Sequence, residues 1–322
     1  MPTGAVSLIE AAQCGDDMHK MGVVETIIQE NPVIEMIPWM PFAGNALQHD
    51  AEGTLPNVQF RRVNEGYSQS YGSDEQHFWG VAILGGEIKV DEFLVNVVGT
   101  KKDIEAKQWA KLAKANAMRF GYEFFEGTGS VASKGFKGMK SLIDEGFGQE
   151  TVHSATGATL ASADGLESLD LALDSFKNQG GPDAVLVNRT HRRQVTNAAR
   201  TSVTGVSLID VGTDVFGRKV MYYDGVPFVI LGDVMDGSGN IVPSLPFTED
   251  PGDGTSDTSS VYFVKFGEDD ITGLLGKGGS FQVKQFGELE SGPQRLGRME
   301  WYPGLAIFNK YSVTRVSGIT AS

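Results

Sequence analysis

The sequence has a single cysteine and no paired histidines, which excludes several kinds of site. Cys14 stands alone, so the chain can form neither an internal disulfide nor a zinc site built on several thiolates. The five histidines are scattered singly, without HxxxH or HxH spacing. We therefore expect no metal site of the common Cys and His types.

Long apolar runs are also missing. No stretch approaches the ~20 apolar residues that a membrane-spanning helix requires. The first residues, Met1 to Gly4, do not begin the basic and then apolar segment of a secretory signal. The sequence predicts a protein made and kept in a cytoplasm, with no membrane partner.

Positive charge is scarce overall but unevenly distributed. The formal net charge of −14 argues against tight binding of nucleic acid, because that affinity comes largely from Lys and Arg. Residues 101–140 carry nine basic and four acidic side chains, whereas residues 141–183 carry one basic and eight acidic ones. Two interpretations stay open: the basic face of one copy pairs with the acidic face of another, or both faces are solvated.

Glycine is abundant, at 41 of 322 residues, and raises the question of a phosphate-binding loop. Such a loop lies between a strand and a helix N-terminus, and its last glycine precedes Lys and Ser or Thr. The glycines of residues 127–138 instead follow a predicted helix, and Gly276-Lys277-Gly278 lacks the hydroxyl residue. We interpret the glycines as turn and bulge residues.

The remaining candidates for chemistry are weak and favour a protein that is not an enzyme and takes no cofactor or metal. Carboxylates at helical spacing are ordinary in a lysine-rich helix, two serines lack the Gly-x-Ser-x-Gly elbow, and the acidic segment lacks an Asp-x-Asp-x-Asp-Gly loop. These residues are Asp103, Glu105, Glu123 and Glu126; Ser130 and Ser133; and Asp233, Asp236, Asp253 and Asp257.

The N-terminal third predicts an arm and a projecting hairpin. Residues 23–30 are a helix candidate that ends at Asn31-Pro32. The next segment is interrupted by prolines and cannot be a regular helix, so its apolar side chains must be buried: Ile34, Ile37, Trp39 and Phe42. Residues 57–95 predict two strands, one beginning at Val58 to Arg62 and one at residues 77–84, around a polar tip.

A long helix is predicted from about residue 100 to 125. Thr100 and Asp103 fit a capping pattern, and one face carries apolar residues at helical spacing: Trp109, Leu112, Ala113, Ala117, Phe120 and Phe124. Gly127 ends it. The chain then predicts an α/β unit over residues 142–232, an acidic surface loop over 233–260, and strands over 261–319. Asp224-Gly225, between two apolar runs, is a strong hairpin signal.

This order of parts resembles the major capsid protein of tailed bacteriophages, the Hong-Kong-97-type fold that encapsulins share. "GVVETIIQENPVIEMIPWMPFAG" is similar to the family's arm, and "KKDIEAKQWAKLAKANAMRFGYEFFEGTG" is similar to its spine helix and following turn. The resemblance implies an α+β chain with these parts: N-terminal arm 1–55, E-loop 56–95, peripheral domain with spine helix 96–144, axial α/β domain 145–290, and a return to the peripheral domain over 291–322.

The resemblance implies a structural protein that assembles into pentamers and hexamers and forms the icosahedral head enclosing a phage's double-stranded DNA. The chain would reside in the virion after assembly in the host cytoplasm, with a separate scaffolding protein, a portal and a decoration protein as partners. Some members join subunits covalently through an E-loop lysine. No lysine lies between Lys20 and Lys89, so we expect noncovalent contacts. The alternatives are an encapsulin-like shell around enzyme cargo, or an α/β enzyme.

Two sets of residues are predicted to serve assembly. Arg61, Arg62, Phe78 and Trp79 would carry much of the contact made by the E-loop. Gly121, Gly127 and Gly129 would act as hinges that let one chain fit both pentamers and hexamers, although glycine is equally a plain turn residue.

Overall fold

The computed structural model describes residues 31–44, 46–92, 101–177, 180–201, 209–213, 219–276, 281–289 and 292–321. The described helices are Pro32–Met36, Lys101–Glu126 (the spine helix), Met139–Leu142, the π-helical turn Ile143–Phe147, Ala163–Ser175 (the acidic helix) and Arg189–Thr201 (the basic helix). The described strands are β1 Trp39–Pro41, β2 Ala46–Thr54, β3 Ser73–Gly80, β4 Leu84–Asp91, β5 Gln149–Val152, β6 Ala184–Val187, β7 Ile209–Thr213, β8 Lys219–Tyr223, β9 Val226–Ile230, β10 Asp233–Met235, β11 Ile241–Pro243, β12 Thr258–Val264, β13 Ile271–Leu275, β14 Gln282–Leu289, β15 Gly292–Trp301, β16 Pro303–Ile307 and β17 Val313–Thr320.

The spine helix confirms the predicted long helix. Its apolar face is buried, including Trp109, Phe120 and Phe124, because these side chains recur at the helical period and meet the first core. The helix ends before Gly127, whose N–H donates to the carbonyl oxygen of Glu123 at 3.0 Å. Thr100, the predicted cap, lies outside the described residues.

Two three-stranded sheets complete the body around the spine helix. One has the order β14-β15-β4, and the other has the order β1-β13-β16. Trp301, at the end of β15, stacks on Phe120 with ring centroids 4.9 Å apart and on Trp39 at 5.3 Å. Strands that are distant in sequence therefore share one aromatic core with the spine helix.

A seven-stranded sheet, in the order β5-β17-β12-β6-β9-β8-β7, forms the second part of the fold. β6 pairs parallel with β9 and antiparallel with β12, as expected for the predicted α/β unit. Leu169 of the acidic helix and Val195 of the basic helix pack with Val185 and Val187 in the second core, so both helices cover the same face of the sheet. The predicted Asp224-Gly225 turn joins β8 to β9, and both residues have positive φ.

The structure contains the predicted hairpin, but the first strand of the hairpin lies earlier in the sequence than predicted. β2 pairs antiparallel with β3, from Ala46 opposite Gly80 to Thr54 opposite Ser73. Residues 55–72, here called the tip, contain no strand. The strand predicted from Val58 to Arg62 is wrong, because none of the described strands lies beside this segment to supply backbone hydrogen bonds.

Strand pairing also divides the chain differently from the predicted boundaries. β17, predicted to return to the peripheral domain, lies inside the seven-stranded sheet between β12 and β5. β14, predicted to be axial, pairs with β15 beside the spine helix.

The acidic segment 233–260 is not simply a surface loop, since it contains the β10–β11 hairpin and buries Glu249. The arm contains a helical turn over Pro32–Met36, because Asn31 caps it and proline is favourable at its start.

Candidate assembly surface

Exposed apolar side chains are concentrated on the hairpin. Seven of the fourteen large hydrophobic residues that are exposed in the described part of the chain lie between residues 55 and 78: Leu55, Val58, Phe60, Val63, Tyr67, Tyr71 and Phe78. Phe60 is fully exposed and Val58 is 90% exposed. A concentration of this kind on a projection is typical of a surface that another chain covers.

The two predicted arginines lie in this tip, not in a strand. Arg61 places its guanidinium 5.3 Å from the ring centroid of Tyr67 and donates to the backbone carbonyl oxygen of Glu65. The backbone N–H of Arg62 donates to a carboxylate oxygen of Glu65 at 2.9 Å. These bonds shape the turn, while both arginine side chains stay exposed and available to a neighbour.

Phe78 and Trp79 point in opposite directions, as consecutive strand residues must. Phe78 is 67% exposed. Trp79 is buried against Phe147 and Phe308, with ring centroids 4.9 and 6.3 Å away. Trp79 is therefore a core residue at the base of the hairpin, and the prediction that it supplies an exposed contact is corrected. For Phe78, Arg61 and Arg62, contact with a neighbour stays a prediction.

At each predicted hinge glycine, a larger residue would clash with its neighbours or strain the backbone. A Cβ on Gly121 would lie 2.6 Å from the Asn31 side-chain nitrogen, where the arm crosses the spine helix. A Cβ on Gly127 would overlap two backbone carbonyl oxygens, and Gly129 has a φ of +60°. These observations explain the glycines without motion, so the hinge role stays a prediction.

A buried ionic network connects the body to the seven-stranded sheet. Arg315 of β17 donates to Glu249 at 2.9 Å and to Ser260 at 2.9 Å, and its guanidinium lies 3.2 Å from Asp144. Lys140 lies 3.1 Å from the other oxygen of Glu249. Burial acts to raise the pKa of Glu249, but the charges of Arg315 and Lys140 outweigh it and hold that pKa below its ordinary value.

Two acids of the spine helix, Glu123 and Glu126, form ion pairs with neighbouring cations. Glu123 forms an ion pair with Arg119, one turn earlier on the helix. Glu126 lies 3.6 Å from Lys140. Burial raises the pKa of both carboxyls, and the neighbouring cations oppose that shift.

Three of the other chemical candidates, Ser130, Ser133 and Asp236, take part in local turns. Ser130 and Ser133 hydrogen-bond to each other and to Thr128 on an exposed loop. Asp236 accepts the backbone N–H groups of Ser238 and Asn240. Within the described residues, no three His, Cys, Asp or Glu side chains are grouped to hold a metal ion. No described helix has the length and apolar character needed to cross a membrane.

Comparison with solved structures identifies the fold. No protein-family profile and no curated protein matches the sequence. The SrpI encapsulin of Synechococcus elongatus superposes with a TM-score of 0.60 at 11% identity, over 90% of this chain and 88% of that one. A chain from Mycobacterium phage Bobi gives a TM-score of 0.57 at 13% identity over 90% and 89%, and the capsid of an empty GTA particle gives 0.54 at 12% over 88% of both chains.

The chain has the Hong-Kong-97-type capsid fold. The α+β class and the resemblance inferred from the sequence are thereby confirmed. Phage capsids and encapsulins both occur among the similar structures, so the Hong-Kong-97-type fold does not separate a DNA-filled head from a cargo shell. These neighbours are shell components, and their assemblies contain many copies.

Sequence reasoning missed the ionic network that joins the two parts of this Hong-Kong-97-type chain. Arg315 follows a run of strand residues and Glu249 lies in a Pro- and Gly-rich segment, so neither stands out alone. A charged residue at an otherwise apolar strand position was the one available signal, because such a residue is rarely buried without a partner.

Proposed function

We propose that this chain is a structural shell protein that self-assembles into pentamers and hexamers and closes an icosahedral container. The observation that carries the proposal is the hairpin: its tip has six exposed large apolar side chains, β3 adds a seventh, and the chain that carries them has a capsid fold. Leaving this much apolar surface in water is unfavourable, and burial against a neighbouring copy removes the penalty.

The hairpin's construction favours a partner over independent folding. A two-stranded sheet is marginal alone in water, and the tip beyond it pairs with none of the strands that the structure describes. Its backbone N–H and C=O groups can therefore pair with a neighbouring subunit, as its apolar side chains can pack there. Shell interfaces of obligate type commonly bury about 2,000 Å² or more, which a projecting element helps a small lobe to reach.

The test is electron microscopy combined with light scattering on the purified chain, alone and with any scaffolding protein encoded beside it. We expect closed shells, or rings of five and six. The tip variant Val58→Ser/Phe60→Ser should remain a folded monomer, because both side chains are exposed and contribute nothing to the core. Val131→Ser, which also removes an exposed valine but outside the hairpin, is the matched control.

The results separate the alternatives. Wild-type protein that stays monomeric under both conditions contradicts the shell function and returns attention to an α/β enzyme. Shells formed equally well by the tip variant contradict the role of the hairpin. Trp79 should not be used in such a test, because its removal would unfold the base of the hairpin.

The finer proposal is the head of a tailed phage that encloses double-stranded DNA, assembled in the host cytoplasm and found in the virion. Chains from phages are among the similar structures, and a net charge of −14 suits a wall along which DNA must slide. We further propose a separate scaffolding protein, a portal and a decoration protein as partners. Particles purified from the native source should contain nuclease-protected DNA, whereas enzyme cargo without DNA would favour an encapsulin-like compartment.

A further inference from the structure

The outer surface of the basic helix carries a stripe of arginines. Arg189, Arg192, Arg193 and Arg200 are all exposed, and their spacing places them on one face of the helix. The helix contains no acidic residue. Within the described part of the chain, none of these guanidinium groups forms an ion pair with a carboxylate. This set is called the basic stripe.

The neighbouring acidic helix carries the opposite pattern. Asp164, Glu167 and Asp174 are exposed at helical spacing, with the half-exposed Leu171 between them. This helix contains no basic residue. None of the three carboxylates has a cation within ion-pair distance among the described residues. This set is called the acidic stripe.

The two stripes lie on one lobe, on helices that cover the same face of the seven-stranded sheet. They carry opposite charge, yet they do not neutralise each other within the chain. One copy of the protein is thus complementary to another copy, through two different surfaces. Two such stripes on one face can meet around a twofold axis or head to tail, and only the head-to-tail contact closes into the five- and six-membered rings that the proposed shell requires.

We propose that the acidic stripe of one copy contacts the basic stripe of the next copy around each pentamer and hexamer. This inference rests on the proposed shell function and names the surfaces by which copies of the lobe meet. Leu171 supplies an apolar centre, and the surrounding charges set the orientation and the rate of encounter. Because exposed charges are screened over ~8 Å at physiological salt, ring formation should slow as salt is added.

Charge reversal provides the test. The variant Arg189→Glu/Arg192→Glu/Arg193→Glu/Arg200→Glu, called the acidic variant, has two acidic stripes, and Asp164→Asn/Glu167→Lys/Asp174→Lys, called the basic variant, has two basic ones. Each alone should reduce the assembly rate by roughly tenfold or more, because like charges then face each other at every junction. A chain that carries both sets of substitutions should assemble again, since its stripes are complementary with opposite sign.

An equimolar mixture of the two reversed chains gives a stricter test of head-to-tail contact. When the two chains alternate in a ring with an even number of subunits, opposite charges meet at every junction. A five-membered ring leaves one junction between like charges. The mixture should therefore restore six-membered rings in preference to five-membered ones, as counted by electron microscopy or native mass spectrometry.

Controls separate charge from folding and from the function itself. Replacing all four arginines of the basic stripe by lysine keeps the charge at the same exposed positions, and this chain should assemble like wild type. Circular dichroism and thermal unfolding should be unchanged in every variant, because the substituted side chains lie outside the core. Wild-type protein that never assembles would refute the shell function, which is a different outcome from failure of the charge pattern.

Three results would overturn the proposal. The singly reversed chains could assemble at the wild-type rate, or the fully reversed chain could stay monomeric although folded. Thirdly, the acidic variant could form normal shells that hold less DNA than wild type, which would assign the basic stripe to nucleic acid.

Discussion

His191 should make the folded chain sensitive to mild acid, and its replacement by leucine should remove that sensitivity. The imidazole is fully buried, its ring packs 5.3 Å from that of Phe247, and both ring nitrogens lack a hydrogen-bond partner among the described residues. Burial lowers the pKa of His191 from 6.5 to about 3, with the charge of Glu249 acting in the opposite sense. The folded chain therefore keeps this side chain neutral.

The size of the effect follows from the two pKa values. Below its ordinary pKa of 6.5 the unfolded chain binds a proton at His191 that the folded chain does not bind, so stability falls as pH falls. The loss is ~1.4 kcal/mol per pH unit, or about 2 kcal/mol by pH 5. It grows down to about pH 3 and is absent above about pH 7.

Urea unfolding at pH 7 and pH 5, followed by tryptophan fluorescence, measures this difference. Between pH 7 and pH 5, the free energy of unfolding should fall by about 2 kcal/mol more in wild type than in His191→Leu, since carboxylates titrate alike in both proteins. His191→Gln, which also does not titrate, should behave like the leucine variant in this comparison. Parallel losses in wild type and both variants would refute the argument and mean that the folded chain accepts the proton.

Three further predictions concern packing and charge. Arg315→Met should destabilise the chain by about 3–5 kcal/mol in urea unfolding, because it leaves the buried Glu249 without its guanidinium partner; a loss below about 1 kcal/mol would show that the network is not needed. Burial raises the pKa of Glu126 above its ordinary value of 4.5, so the stability of the wild type falls as pH rises from 4.5 through the raised pKa. Glu126→Gln should not show this fall, and an equal change of stability with pH in both proteins between pH 4 and 7 would contradict the prediction. Gly127→Ala should cost about 1–3 kcal/mol because its Cβ would overlap two carbonyl oxygens, whereas Gly80→Ala, in open space, should leave thermal unfolding unchanged.

The parts of the fold that were predictable from sequence are those whose side chains serve the chain's own core. The spine helix was visible in the spacing of Trp109, Phe120 and Phe124, and the β8–β9 hairpin in Asp224-Gly225. These patterns arise because local geometry and burial agree. The order of such elements resembles the Hong-Kong-97-type architecture, and the similar solved structures confirm that resemblance.

The hairpin was harder to predict, because its residues do not follow the core pattern. β2 contains the polar run Gln48-His49-Asp50 and lies on a two-stranded sheet, so it lacks the alternation of a half-buried strand. The tip has the apolar residues that suggested a strand, yet no described part of the chain covers them. Trp79 and Phe78 could not be told apart either, because period-two alternation does not say which face is inside.

The position of β17 in the middle of the seven-stranded sheet has a consequence for synthesis. β5 and β12 both pair with it, yet the ribosome makes them before it. Until residues 313–320 emerge, β5 and β12 have no strand between them and keep unpaired edges. The lobe that carries the acidic and basic stripes must therefore complete its sheet late in translation. A subunit can join others only after nearly all of its described fold has been made.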